Sequence, residues 1–189
     1  MILLPRTIQL DKSDTVVFSN PAAPGEWSVP GTFLFVGRNI ETLNRKEQIA
    51  FRSGFLGLTG FGWSTLAVVT EARAEDRAAV VSELAHQLVE RLGAPSIVEA
   101  LPAAEEEIGL AEDLCRGHPP GTLLALHRRM DDDGIHEQFR TLKPRSETAF
   151  AAGYLNGHDK AFHVVETDDD EADDGGFDLV SLGDQEGHR

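Results

Sequence analysis

The chain has a single cysteine, Cys115, in 189 residues, so no internal disulfide can form. A lone thiol fits a reducing compartment, and a cytoplasmic location is expected. Basic residues are also scarce, with 17 Lys and Arg against 32 Asp and Glu. They form no stripe of the kind that phosphate contacts require, which argues against nucleic acid and anionic membranes as partners. No apolar run approaches the ~18–20 residues of a membrane span. The opening residues Met1–Thr7 lack the charged and apolar regions of a signal peptide, and none is expected. Missing too are the G-x-S-x-G of a nucleophile elbow, the G-x-G-x-x-G of a dinucleotide loop and the G-x-x-x-x-G-K of a P-loop. No cofactor is implied.

What remains is an ordinary globular composition, 41% hydrophobic and 26% charged. The acidity is uneven. Residues 166–189 hold ten acids and one base, a net of −9, which leaves −6 of the total −15 for residues 1–165. The expected organisation is one domain over 1–145, a weakly structured extension over 146–165 and an acidic, unstructured tail over 166–189.

Along the domain, Arg6–Leu10 and Thr15–Ser19 read as a hairpin around Asp11–Asp14, and Trp27–Val36 reads as a strand interrupted by Pro30-Gly31. Thr42–Leu56 reads as a helix and Trp63–Thr70 as a strand. The apolar spacing of Val81, Leu84, Ala85, Leu88 and Leu92 gives a long helix over Glu75–Leu92, closed by Gly93 and Pro95. Ser96–Leu101 reads as a short helix or turn. Pro102 then opens a second helix to about Arg116, with Glu105-Glu-Glu107 in its first turn as a solvated, dipole-stabilised start. Thr122–Met130 and Ile135–Leu142 form a hairpin around the Asp-Gly of Asp131–Gly134. The fold class is therefore α+β: a largely antiparallel sheet of about six strands, helices packed on one face, and an acidic tail behind.

Several stretches stand out in combination: Leu4–Ile8, Ala50–Gly57 with Phe61–Thr65, Ala103–Ile108, His118–Ala125 and Phe139–Leu142. Through them residues 1–143 resemble a bacterial family, common in alphaproteobacteria, that carries a domain-of-unknown-function label. The resemblance implies no catalytic residue. It implies an association with the assembly of cofactor-bearing redox enzymes.

Three groups of residues are candidate sites. Phe51-Arg-Ser-Gly-Phe-Leu-Gly-Leu-Thr-Gly-Phe-Gly-Trp63 sets glycines between large apolar residues. Phe51, Phe55, Phe61 and Trp63 with Arg52 read as core filling, as a partner surface, or as a pocket with Arg52 as an anion anchor. Cys115 and His118 form a C-x-x-H pair, and Glu112 shares a helical face with Cys115. A closed metal site would need a further ligand, against the plain reading of a buried thiol and a loop histidine. In the tail, Phe177 and Leu179 lie among acids, an arrangement suited to docking on a basic protein or simply to solubility. An echo of a calcium loop at Asp170–Ser181 fails at its third and twelfth positions, Ala172 and Ser181.

The expected function is that of a non-catalytic accessory protein with a protein partner. The alternative is a small-molecule or metal enzyme whose site gathers distant residues such as Arg52, Glu112, Cys115 and His118. A homo-oligomer is compatible with either.

Overall fold

A computed structural model describes residues 1–142. The expected extension, the acidic tail and the candidates Phe177 and Leu179 lie outside the described residues. Four helices and seven strands follow the order β1 (Ile2–Ile8), α1 (Ser13–Val17), β2 (Ser28–Val29), α2 (Arg45–Ser53), β3 (Phe55–Gly57), β4 (Trp63–Ser64), β5 (Leu66–Ala72), α3 (Ala74–Leu92), α4 (Ile97–Cys115), β6 (Leu123–Asp131) and β7 (Gly134–Leu142). The α+β class with antiparallel sheets holds. The strands divide between two sheets, a four-stranded one in the order β1-β5-β6-β7 and a three-stranded one in the order β2-β3-β4.

Two elements form as their patterns dictate. In α3, Val81, Leu84, Ala85 and Leu88 face the core, and Gly93 closes the helix at φ 74° with the Ala94 N–H bonded to the Leu88 carbonyl. The β6–β7 hairpin closes on Asp132-Asp133, with Gly134 at φ 123°.

Elsewhere the chain departs from expectation, each time for an identifiable physical reason. Thr15–Val17 belongs to the short helix α1, not to a strand. Asp11 accepts the Ser13 N–H, and the Thr15 hydroxyl bonds the Lys12 carbonyl, so side chains outcompete a ladder here. Asp14 is then buried, where it accepts the Thr65 hydroxyl at 2.5 Å and the Thr65 N–H at 3.2 Å. The Trp27–Val36 strand shrinks to Ser28–Val29. Gly31 turns the chain at φ 75°, where a Cβ would lie 2.7 Å from Leu56 Cβ, and Thr32–Phe35 winds as a 3-10 turn.

The helix expected to run to Leu56 stops at Ser53, because Phe55–Gly57 pairs with both β2 and β4. Pro102 does not open a helix but lies inside α4, whose N-cap is Ser96. Its missing N–H would have bonded the carbonyl of Val98. Both residues are exposed, so the gap falls on the solvent side of the helix. Glu105–Glu107 therefore sit in mid-helix, beyond the help of the N-terminal dipole.

The core has three parts. The buried stripe of α4, Ala100, Ala104, Ile108 and Ala111, packs with α3 and with Leu4, Val29, Leu56 and Leu58. Phe55, Ala67, Val69, Cys115, Leu124 and Leu126 form the second part, and Phe18, Phe35, Leu43, Ala50 and Phe51 the third. Between the last two runs β6, and the buried parity of this strand (Leu124, Leu126) continues into Arg128.

Candidate functional site

Arg128 is the largest of the fully buried side chains, with its side chain 0% exposed. A buried guanidinium is tolerable only if nearly every N–H finds an acceptor. Here they do. Nη1 donates to the carbonyls of Phe51 at 2.9 Å, Gly54 at 3.0 Å and Ala50 at 3.4 Å at the end of α2, the Ala50 carbonyl also accepting the Gly54 N–H. Nη2 donates to the Pro30 carbonyl, and Nε to Thr32 Oγ1 at 2.7 Å and Glu137 Oε1 at 2.9 Å. Thr32 in turn donates its hydroxyl to Glu137. Burial lowers the Arg128 pKa from its ordinary value, and the bond to Glu137 opposes that fall.

Above this cluster lies a cleft of about 210 Å³ lined by Pro30, Thr32, Glu107, Leu110, Leu114, Glu137 and Phe139. Each wall follows from local geometry. Glu107, Leu110 and Leu114 are three and four residues apart on one flank of the α4 stripe. Glu137 and Phe139 are two apart on one face of β7, opposite Arg128 and Leu126 of β6. Glu137 is committed to Arg128 and Thr32. Glu107 has no hydrogen-bond or ion-pair partner among the described residues. Burial chiefly, then the charges of Glu137 and Glu106, push its carboxyl up to about 7, with Arg128 opposing. The arrangement presents an apolar recess ending in one unpaired carboxyl that titrates near neutrality.

Phe51 and Phe55 are buried core side chains and offer no surface. Trp63 is half-buried, 5.4 Å from Phe35 ring to ring. Phe61 is half-buried beneath the guanidinium of Arg91, at 5.2 Å, and holds φ 51°. Arg52 is exposed and apart from the cleft.

The glycines between these aromatics serve close approach. A Cβ at Gly54 would sit 2.6 Å from the Trp63 ring, and one at Gly57 2.8 Å from the Glu26 carboxylate. Glu112 is bonded at 3.0 Å to Arg77 of α3, and Cys115 is buried, its thiol pushed up to about 12 chiefly by that burial. His118 lies on the turn after α4, its N–H on the Cys115 carbonyl. Among the described residues no three His, Cys, Asp or Glu side chains gather as a metal would require, and Glu112, Cys115 and His118 are not brought together as ligands.

Sequence reasoning missed Arg128, Glu137 and Thr32. A signal for two of them existed. The two-residue hairpin loop fixes the register that pairs Arg128 with Glu137, and the parity of Leu124 and Leu126 puts Arg128 on the core face.

Fold and cleft together define an α+β protein with a recess between α4, β7 and the Pro30–Thr32 turn. Residues 1–157 match a family of unknown function, DUF6505, and the chain belongs to that family. Neither the curated proteins nor the solved structures give a match to the chain. No helix among the described residues is long and apolar enough to cross a membrane.

Proposed function

We propose that this chain is a non-catalytic accessory protein that works by holding another protein, and that the cleft between α4 and β7 seats a side chain of that partner. One observation carries this. Leu110, a large apolar residue 54% exposed, stands at the rim of a recess that also has Pro30, Leu114 and Phe139 in its walls. A small apolar pocket with an exposed hydrophobic lip has the form of an interface hot spot. At about 210 Å³ it is smaller than the ~300–1,000 Å³ of ordinary small-molecule sites and suits a single side chain. β7 is an edge of its sheet among the described residues, which leaves main-chain donors and acceptors beside the recess for the same partner. Assembly of a cofactor-bearing enzyme, as the family resemblance implies, is work of this kind. The reducing cytoplasm suits the lone, buried thiol. We take residues 1–145 as the folding unit and the acidic tail as an added contact.

The test is capture from an extract of the native cell with immobilised full-length protein and its Leu110→Asp variant. A protein retained by the first and lost by the second, at equal thermal stability, is the expected result. Identical retained sets would overturn the assignment of the cleft. A version ending at Val165 that keeps the same partner would remove the tail from the contact.

A further inference from the structure

The cleft also specifies what enters it. Resting on the proposed function above, we propose that the seat between α4 and β7 takes a positively charged donor group on an apolar stem, namely a lysine or arginine side chain of the partner protein.

The charges lead there by elimination. Among the described residues Arg128 is the cation that acts on Glu107, and its N–H groups bond four backbone carbonyls, Thr32 and Glu137. Its side chain is fully buried, so it presents no donor to an incoming anion. An anion would meet Glu107, Glu137 and Glu106 together. A purely apolar group would cover Glu107 without replacing the water it loses, which is unfavourable for an ionised carboxylate. An ammonium or guanidinium supplies both the charge and the hydrogen bonds that Glu107 lacks. Behind that head, the stem of lysine or arginine lies against Leu110, Leu114, Phe139 and Pro30, apolar surface of the sort such stems cover.

Occupancy is coupled to a proton. Glu107 on α4 feels the charges of Arg128 on β6, Glu137 on β7 and Glu106 on its own helix, and its carboxyl titrates at about 7. A cation needs the ionised form, so affinity rises with pH across neutrality. Between pH 6 and pH 8 the gain is up to roughly tenfold.

The experiment uses the full chain with isotope-labelled leucine methyl groups and three probes: butylammonium, butylguanidinium and the neutral 1-pentanol. Both cations are expected to shift the Leu110 and Leu114 methyl signals saturably at millimolar concentrations, as befits fragments of a few heavy atoms. Pentanol is expected to bind about tenfold more weakly or not at all. Glu107→Gln is expected to weaken the cations about tenfold and to abolish the pH dependence. Glu105→Gln, on the other flank of α4, should change nothing. The pH series on the unaltered protein keeps the test independent of how the variants fold.

Equal binding of pentanol, indifference to Glu107→Gln, or no saturable shift would each overturn the proposal. If the cations fail while Leu110→Asp still loses its partner, the charge class is wrong and the cleft remains the partner's seat. If the cations bind while Leu110→Asp keeps every partner, the side chain of a partner is excluded as the source and the seat belongs to a free amine.

Discussion

The two flanks of α4 carry the same residue type to opposite ends. On one flank Glu105 and Glu112 share Arg77 of α3, at 2.9 and 3.0 Å, in a network open to solvent. On the other, Glu107 lines a recess, and the nearby Arg128 is already bonded to Glu137. The first flank is paired and cheap to alter; the second is unpaired and consequential. Position around the helix, not composition, separates a surface ion network from a site.

Changing the two flanks should bring out the difference. Arg128→Met leaves Pro30, Phe51 and Gly54 carbonyls and the Glu137 carboxylate without their donor, and should cost about 3–5 kcal/mol in urea unfolding. A loss below about 1 kcal/mol would mean that water satisfies these groups as well as Arg128 does.

Glu107→Gln should act in the opposite direction and only at one end of the pH scale. The carboxyl sits at about 7 in the folded protein against an ordinary 4.5, so the folded state holds an extra proton between those values. Its contribution to stability is intact below 4.5 and is lost as pH rises through 7. Allowing for partial solvent access, the variant should gain on the order of 1 kcal/mol at pH 8 and almost nothing at pH 4.5. Stability curves of both proteins across that range check the sign. A uniform offset at all pH values would break the comparison.

Arg77→Met is the smallest effect expected. Its side chain is 26% exposed, and its partners 52% and 31%. The loss should stay within about 1 kcal/mol and shrink further in high salt. A cost rivalling that of Arg128 would show that the flanks are not so different after all.

Much of the frame was legible from periodicity and turn chemistry. The stripe of α3 and the Asp-Gly hairpin are written locally, and they appear where expected. The misreadings share one cause. Thr15–Val17 looks like strand until Asp14 reaches Thr65, fifty-one residues on, and Trp27–Val36 looks like strand until Gly31 must clear Leu56. Pro102 reads as a helix start because proline so often is one, and that reading sets Glu107 in a solvated first turn instead of mid-helix. The aromatic segment is unusual in composition, yet its glycines serve the packing of Trp63 and Glu26. The cleft itself joins Thr32, Glu107 and Glu137, which share no local pattern. Only the Arg128–Glu137 pair could have been found by counting back from the turn.

Arg128 also has a kinetic consequence. It fastens Pro30, ninety-eight residues away, and the end of α2, seventy-four to seventy-eight residues away, onto β6. In a chain with one thiol it acts as a reversible clasp across distant segments. Amide hydrogens at the end of α2, around Val29 and along β6 should therefore exchange with solvent through one shared opening event, and loosening any one of them should loosen all three together.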